Sequence, residues 1–247
     1  MTIFSKIENI RESRGCAAFA LIDPDSKNDI DLIKMVNLIN SCDFDAILVG
    51  GSLIMDHHFE ERINTISNNT ELPVIIFPGS SRQLSAAADA VLYLSLLSGR
   101  NPQYLIGEQV ESAPIIYSLG IEPISTGYIL LDGGSRSSVQ IMSNTNPLPM
   151  EKHDIVLAHA LAAQFLGKQL LFFECGSGSS NHAHSELVSY ITSHVKIPLM
   201  IGGGVNTAES AGDLSTAGAG YIVIGTKIET GATTKELMEI TSAIHTS

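Results

Sequence analysis

Short, uniformly apolar runs alternate along the chain with longer segments in which apolar residues recur every three or four positions. The short runs lack the polar alternation of a half-exposed strand, which is typical of parallel strands covered on both faces. The longer segments have the spacing of amphipathic helices. Strands are predicted for residues 17–22, 46–49, 74–77, 90–94, 124–131, 170–173, 199–201 and 221–224. Helices are predicted for residues 30–40, 59–67, 104–119, 154–166, 185–194, 208–217 and 235–245.

This alternation predicts an α/β fold, a (β/α)8 TIM barrel formed by a single domain over residues 1–247. A doubly wound open sheet is the alternative. The barrel is favoured because polar and glycine-rich motifs follow the strands, where such barrels place their active sites. Residues 1–14 predict a polar amphipathic helix, and residues 80–88 a short Ala- and Ser-rich connection. Residues 133–150 form the longest irregular segment, and such length is typical of a mobile lid.

The composition restricts the classes of partner. The chain has 44% hydrophobic and 16% charged residues and a formal net charge of -12, without a cluster of Lys or Arg. It offers no positive surface to nucleic acid or anionic lipid, so a phosphate group must be held by backbone amides, helix N-termini or a metal ion. Three scattered cysteines indicate buried free thiols. No apolar run approaches the roughly 20 residues of a membrane span, and we expect a soluble, unprocessed cytoplasmic protein.

Two carboxylates follow the first predicted strand, in the sequence L-I-D-P-D at residues 21–25. One interpretation is a helix start, with an aspartate as N-cap and proline in the first turn. The other is a magnesium site, because Mg²⁺ takes one or two carboxylates and completes its shell with water and phosphate oxygens. The position of Asp23 directly after the first strand favours the metal site.

A Gly-Gly-Ser turn follows the second predicted strand, in the sequence V-G-G-S at residues 49–52. A turn of this composition is usually only a turn. In a barrel, however, Ser52 lies on the same face as Asp23, and the two could complete a site for a metal ion and a diphosphate. The similar sequence F-P-G-S-S at residues 77–81 is interpreted as structural.

Glu174 ends an apolar run at the close of the sixth predicted strand. A buried carboxylate without a partner is costly, so something in its surroundings must use or satisfy it. A salt bridge or a helix cap at the rim of the barrel would satisfy it without any function. The favoured interpretation is a group that takes part in the chemistry of the site.

Glycine-rich turns follow the last three predicted strands, at residues 175–178, 202–204 and 225–226. Each turn precedes a helical segment, so three sets of backbone N–H groups can converge on one anion. The loops after strands seven and eight are the common phosphate site of this fold. Glycines can also simply permit tight turns, but their joint occurrence after adjacent strands favours phosphate binding.

Taken together, these motifs resemble those of the geranylgeranylglyceryl phosphate synthase family. The resemblance is carried by L-I-D-P-D at 21–25, V-G-G-S at 49–52, P-I-S-T-G-Y-I-L at 123–130, F-F-E-C-G-S-G at 172–178, I-G-G-G-V at 201–205 and I-G-T at 224–226. The set is specific, although no single motif is. It implies a prenyltransferase on a barrel scaffold, which joins sn-glycerol-1-phosphate to geranylgeranyl diphosphate through an ether bond, releases diphosphate and depends on Mg²⁺.

The resemblance also implies roles for individual residues. Asp23 and Ser52 would hold Mg²⁺, and Glu174 would take the proton from the attacking hydroxyl. The residues expected around glycerol-1-phosphate are Phe172, Phe173, Glu174, Cys175, Gly176, Ser177, Gly178, Gly203, Gly204, Gly225 and Thr226. The resemblance further implies a role in ether-lipid biosynthesis, a homo-oligomer (a dimer or a hexamer) and transient membrane contact during product release.

The prenyl tail requires an apolar groove, for which Tyr93, Leu94 and Tyr128 are candidates at the strand ends. Two positions depart from the family pattern. Phe172 stands where many relatives have tyrosine, which removes a hydroxyl contact to the polar substrate. Ser26 separates the D-P-D motif from the next lysine, which leaves the role of that cation open.

Two other functions are weighed against the synthase. A sugar-phosphate isomerase of the barrel type would use Asp23 and Asp132 as its acid and base. A non-catalytic barrel that only binds a phosphorylated metabolite would need neither a base nor an apolar groove.

Overall fold

Eight parallel strands close into a barrel in the computed structural model of the chain, which describes residues 1–245. The strands follow one another around the barrel in chain order. They are β1 (Ala17–Ile22), β2 (Ala46–Val49), β3 (Val74–Ile76), β4 (Ala90–Leu96), β5 (Glu122–Leu130), β6 (Leu170–Glu174), β7 (Leu199–Gly202) and β8 (Tyr221–Ile224).

Helices cover the outside of this barrel. They are α1 (Ile3–Arg14), α2 (Leu32–Asn40), α3 (Phe59–Ser67), α4 (Glu108–Leu119), α5 (Ser138–Ser143), α6 (His153–Phe165), α7 (Ser185–Thr192), α8 (Ala208–Thr216), α9 (Thr226–Glu229) and α10 (Thr234–Ile244). A 3₁₀ turn (Ser26–Asn28) precedes α2, and a π-helical turn (Gln103–Gly107) leads directly into α4.

The closed sheet confirms the predicted barrel and excludes the open sheet, because β1 pairs in parallel with both β2 and β8. All the predicted strands are present, and their ends agree within two residues. The seven predicted helices are present as well. The predicted start of the first of them, residues 30–31, belongs instead to the turn that precedes α2.

Two short helices are not predicted by the apolar spacing. One is α5, inside the segment that was expected to be wholly irregular, and the other is α9, directly after β8. Both are too short for apolar residues to recur over several helical turns, which is the pattern that predicts a helix. The expectation for residues 133–150 is therefore wrong over α5, which begins where the Ser137 side chain accepts a hydrogen bond from the backbone N–H of Gln140.

The inward faces of the strands form a filled core, and α1 closes one end of it. Ile7 of α1 is fully buried and packs with the inward-facing Phe19 and Tyr221. The Glu122 carboxylate accepts the backbone N–H of Phe4 at 3.1 Å, which ties the first turn of α1 to the start of β5. The N-terminal end of the barrel is thus sealed, and an open site is confined to the other end.

The connection between β3 and β4 contains no helix, as its short Ala- and Ser-rich sequence predicts. Every other connection between consecutive strands in the described chain contains at least one. Because no helix covers the outer face of β4 on that side, a groove remains between this connection and α4. The outward-facing Tyr93 of β4 lies in the groove and donates a hydrogen bond to the Gln109 carbonyl of α4 at 2.6 Å.

The three cysteines, Cys16, Cys42 and Cys175, are buried and free, as predicted. Within residues 1–245, none of the helices combines the length and the apolar character that crossing a bilayer requires.

Candidate active site

A cavity of about 450 Å³ opens at the C-terminal ends of the barrel strands. This is the end at which barrels of this class carry their active sites. Most of the residues expected in the site lie in its wall, drawn from the loops after β1, β2, β6, β7 and β8. They are Asp23, Ser52, Glu174, Ser177, Gly203, Gly204, Gly225 and Thr226.

The three glycine turns meet on one side of the cavity, as predicted. The backbone N–H of Gly178 donates to the Thr226 hydroxyl at 3.2 Å, which joins the turns after β6 and β8. Gly203 has a φ of +86°, and a Cβ at this position would lie 2.7 Å from the Gly176 carbonyl oxygen. Only glycine accommodates both this backbone conformation and this approach. The turns after β6 and β7 are therefore in direct contact.

Glu174 points into the cavity beside these turns, although it is only 7% exposed. Its Oε1 accepts the Gly176 backbone N–H at 2.6 Å. Burial raises the pKa of this carboxyl from 4.5 to about 7, and the hydrogen bond from Gly176 offsets part of the rise. A carboxyl with such a pKa is suited to exchange a proton near neutral pH. No salt bridge involves Glu174 in the described part of the chain, and the Gly176 N–H reaches only one of its two oxygens.

Five of the residues expected around the substrate do not line the cavity, namely Phe172, Phe173, Cys175, Gly176 and Gly178. The Phe172 ring lies in the barrel core, stacked on Phe77 at 4.9 Å between centroids and 5.5 Å from Tyr128. Phe173 and Cys175 face the layer between the barrel and its helices. At these positions only the backbone is oriented to take part in the site.

The opposite side of the cavity carries Asp23 and the Gly-Gly-Ser turn. Asp23 Oδ2 accepts a hydrogen bond from Lys27 Nζ at 3.2 Å, whereas the buried Oδ1 has no hydrogen-bond partner. Gly51 packs so closely that a Cβ there would lie 2.4 Å from Asp23 Oδ1. The adjacent Ser52 lines the same wall. The structure therefore brings together the two residues that were expected to hold a metal ion.

An orphaned buried carboxylate oxygen, in a wall that also contains a serine, fits a hard cation such as Mg²⁺. Residues 1–245 contain no group of three or more His, Cys, Asp or Glu side chains that could form a complete metal cage. Burial raises the pKa of Asp23, and Lys27 opposes the rise. A cation at this place would take most of its ligands from the substrate and from water.

Glu229 on α9 is a residue of this site that the sequence does not reveal. Its Oε1 accepts the Asp23 backbone N–H at 3.0 Å and the Asn28 side-chain amide at 3.2 Å. Its Oε2 lies 3.6 Å from Lys27 Nζ. Glu229 therefore fixes the backbone of Asp23 from the far end of the chain, and it shares the lysine with the Asp23 carboxylate.

Gln83 is a second unpredicted residue, and it lies beneath the Gly-Gly-Ser turn. Its side-chain N–H donates to the Gly51 carbonyl at 2.7 Å, and its Oε1 accepts the Gly79 N–H at 3.1 Å. The turn at residues 77–81, which was interpreted as structural, thus supports the turn that carries Ser52. All five residues of this turn also line the cavity, so it belongs to the wall of the site as well.

An apolar arm of the cavity extends away from these polar groups along the outer face of β4. Tyr93, one of the three residues expected beside a prenyl tail, lines it together with Val91 and Ile116, whereas Leu94, a second expected residue, faces the interior of the barrel and lines the cavity there. Tyr93 and Ile116 also line a shallow outer pocket, so these two side chains are common to both. Tyr128, the third expected residue, lies at the barrel core under the cavity.

The acid–base pair of the alternative isomerase is not assembled. Asp132 is exposed, and its carboxylate accepts the Gly134 backbone N–H at 3.0 Å in the loop after β5. It does not line the cavity that contains Asp23.

Known proteins have sequences similar to that of this chain. The chain is 41% identical over 236 residues to the geranylgeranylglyceryl phosphate synthase of Chitinophaga pinensis, covering 95% of this chain and 93% of that protein. It is 40% identical over 228 residues to the protein of the same name from Flavobacterium johnsoniae, covering 92% and 94%.

The fold is also similar to a crystal structure of (S)-3-O-geranylgeranylglyceryl phosphate synthase from Thermoplasma acidophilum in complex with its substrate sn-glycerol-1-phosphate. The TM-score is 0.94 at 34% sequence identity, and the match covers 100% of both chains. In the comparison with sequence families, residues 8–244 match the PcrB family. With a family match over nearly its whole length and relatives of about 40% identity, the chain belongs to the PcrB family.

Proposed function

We propose that the protein is a Mg²⁺-dependent geranylgeranylglyceryl phosphate synthase, which forms an ether between sn-glycerol-1-phosphate and geranylgeranyl diphosphate and releases diphosphate. The names of its relatives and the substrate held by the Thermoplasma acidophilum enzyme support this function. The observation that carries it in this chain is the placement of Glu174. A buried carboxyl with a pKa of about 7 lines the same cavity as the glycine turns and an aspartate with an orphaned oxygen.

The glycine turns are proposed to bind the phosphate of sn-glycerol-1-phosphate. Successive backbone N–H groups in turns that contain glycine at positive φ form concave sites for anions. Lys27 is the one basic residue among the described residues that line the cavity, and it is already shared by Asp23 and Glu229. The phosphate must therefore rely on backbone amides and on hydroxyl groups such as that of Thr226.

Asp23 and Ser52 are proposed to hold the Mg²⁺ that accompanies the diphosphate. The unpartnered Oδ1 of Asp23 supports the assignment, because a buried acceptor without a partner is costly unless something binds it. When bound, Mg²⁺ neutralises the negative charge that develops on the departing diphosphate. The Lys27 ammonium would add a second positive charge on the same side.

Glu174 is proposed to accept the proton of the attacking glycerol hydroxyl. Its Oε1 is held by the Gly176 amide at 2.6 Å, so Oε2 is the oxygen left for the substrate. The phosphate site fixes the glycerol next to this oxygen, which turns the attack into a reaction between positioned groups. The hydroxyl oxygen then bonds to the allylic carbon, its proton goes to Glu174, and the carbon–oxygen bond to diphosphate breaks.

The apolar arm is proposed to hold the prenyl tail. An allylic diphosphate that loses its leaving group develops positive charge on carbon, and water must be kept away from it. Side chains such as Tyr93, Ile116 and Val91 exclude water along the arm while they bury the hydrocarbon. A sugar-phosphate substrate would have no use for such an arm, and neither would a protein that only binds a phosphorylated metabolite.

The surface supports the proposal of a homo-oligomer, either a dimer or a hexamer. Val110 and Tyr117 of α4 and Phe165 of α6 are exposed apolar side chains on neighbouring helices. Such residues favour association with other protein surfaces or with lipid. Light scattering of the purified protein measures the oligomeric state, and flotation with vesicles tests the expected transient membrane contact.

An extraction assay tests the proposed function. The protein is incubated with labelled sn-glycerol-1-phosphate and prenyl diphosphates of several lengths, with Mg²⁺ or with EDTA, and the label that enters the organic phase is counted. We expect transfer with geranylgeranyl diphosphate and Mg²⁺, and none with EDTA. Absence of transfer with every chain length would refute the synthase. Full transfer in EDTA would refute only the dependence on Mg²⁺ and would leave the synthase activity standing.

A further inference from the structure

Arg62 of α3 is a buried cation outside the cavity, and the proposed reaction does not use it. Only 3% of the residue is exposed, and it lies on the face of α3 that packs against the barrel. A buried charge of this kind requires partners. All five N–H groups of its guanidinium donate hydrogen bonds, and every acceptor belongs to one of the two loops that carry Asp23 and Ser52.

Three of the five bonds reach the loop after β1. Arg62 Nε donates to Asp29 Oδ1 at 2.5 Å and Nη2 donates to Asp29 Oδ2 at 2.9 Å, so the carboxylate is bound by a fork. Nη1 donates to the carbonyl of Pro24 at 2.9 Å. Pro24 immediately follows Asp23, so Arg62 holds the peptide next to the proposed metal ligand.

The other two bonds reach the loop after β2. Nη1 and Nη2 donate to the two oxygens of Asp56, both at 2.7 Å. Asp56 Oδ1 also accepts the His58 backbone N–H at 3.0 Å, which closes the turn into α3. Asp56 follows Ser52 in a loop that forms no strand or helix. Because this loop has no backbone hydrogen bonds of a helix or strand, the bonds from Arg62 to Asp56 hold it in place.

We infer that Arg62 is a positioning residue that sets the distance between Asp23 and Ser52, and so prepares the proposed cation and diphosphate site. The inference rests on the proposed function of those two residues. A guanidinium is a rigid planar fork, and two carboxylates on one fork fix both loops relative to α3. Lysine keeps the charge but has a single nitrogen with three donors, so it cannot reproduce the five bonds.

Arg62 contacts only the half of the site that carries Asp23 and Ser52, and not the half that carries Glu174 and the glycine turns. None of its bonds reaches the glycine turns or Glu174. Loss of the fork should therefore weaken binding of the diphosphate and its cation while binding of glycerol-1-phosphate stays unchanged. A residue that merely stabilised the fold would affect both halves alike.

The test compares Arg62→Lys with Arg14→Lys. Arg14 also pairs with two aspartates, Asp43 at 3.0 Å and Asp45 at 3.4 Å, but it does so at the sealed end of the barrel. The first measurement is calorimetric titration of each variant with inorganic pyrophosphate and Mg²⁺, and separately with glycerol-1-phosphate. The second is hydrogen exchange of residues 23–31 and 50–58. The third is the KM for prenyl diphosphate.

For Arg62→Lys we expect about 10- to 100-fold weaker binding of pyrophosphate with Mg²⁺, the size of effect that a displacement near 1 Å produces in a positioned site. The KM for prenyl diphosphate should rise, binding of glycerol-1-phosphate should be unchanged, and both loops should exchange faster together. Arg14→Lys should match the wild type in all of these. Unchanged pyrophosphate binding and unchanged exchange in Arg62→Lys would overturn the inference.

Two further outcomes are decisive. If Arg62→Lys fails to fold, Asp56→Asn is tested in its place, because it weakens the contact of Arg62 with the loop after β2 alone. Faster exchange of residues 50–58 and weaker binding of pyrophosphate are then expected. Wild-type behaviour of Asp56→Asn would overturn the inference. If the wild type transfers no prenyl group, the proposed function fails, whereas the exchange of the two loops still decides whether Arg62 fixes them.

Discussion

Replacement of Glu174 by glutamine should stabilise the protein above neutral pH while it slows prenyl transfer by orders of magnitude. Burial raises the pKa of this carboxyl from 4.5 to about 7, so the charged form is disfavoured in the folded state. The difference corresponds to about 3 kcal/mol, at about 1.4 kcal/mol for each tenfold change in a proton-binding constant. Glutamine retains an acceptor for the Gly176 N–H and carries no charge at any pH.

The direction of this pH dependence of stability follows from proton linkage. Between pH 4.5 and about pH 7 the unfolded chain has released the Glu174 proton while the folded chain still binds it. The stability of the wild type therefore falls as the pH rises through this interval, and Glu174→Gln escapes that loss. From about pH 5 to about pH 8 the advantage of the variant should grow by roughly 2 to 3 kcal/mol, or by about 5 to 10 °C in Tm for a chain of this size.

The assay is thermal unfolding of both proteins without substrates over this pH range, in parallel with the extraction assay. Glu151 is exposed, and Glu151→Gln is the matched control, with a constant Tm difference from wild type expected. Transfer by the wild type should rise with pH around a midpoint near 7, and the variant should lose about 10²- to 10⁴-fold in rate, as for a missing general base. A Tm advantage independent of pH would contradict the raised pKa of Glu174, and full activity in the variant would exclude Glu174 as the general base.

Three other variants test the remaining parts of the site. Asp23→Asn should abolish transfer, because the orphaned oxygen loses its charge, while calorimetry still detects glycerol-1-phosphate binding; retained transfer would discredit the metal assignment. Gly203→Ala should raise the KM for glycerol-1-phosphate at least tenfold, because a Cβ would lie 2.7 Å from the Gly176 carbonyl oxygen at a φ of +86°; an unchanged KM would argue against the phosphate site. Tyr93→Ala should join the apolar arm to the outer pocket and shift preference toward longer prenyl diphosphates, measured as the ratio of kcat/KM values; an unchanged ratio would exclude Tyr93 as the end of the arm.

The sequence predicts the barrel well because its strands are buried on both faces and therefore consist of uninterrupted apolar residues. Glu174 can be predicted as a functional residue for the same reason, since a carboxylate at the end of a buried apolar strand is costly unless it binds something. The placement of Phe173 and Cys175 could also have been predicted. Side chains alternate along a strand, so the neighbours of the inward-facing Glu174 point outward.

The residues that hold the site together could not be predicted in this way. Glu229 bonds to a residue 206 positions away, Gln83 to one 32 positions away and Arg62 to one 38 positions away. Each lies in a short helix or turn of ordinary composition, where a polar side chain normally faces solvent. Their roles follow from how the loops after different strands meet, and no local pattern encodes that.

The central claim is that the glycerol hydroxyl of sn-glycerol-1-phosphate attacks the prenyl carbon and remains in the product as the ether oxygen. The most direct measurement uses glycerol phosphate with heavy oxygen at its free primary hydroxyl, together with geranylgeranyl diphosphate and Mg²⁺, followed by mass spectrometry of the extracted lipid. We predict that the prenyl ether retains the heavy oxygen and that the released diphosphate contains none. A lipid product without the label, or no lipid product at all, would contradict the account.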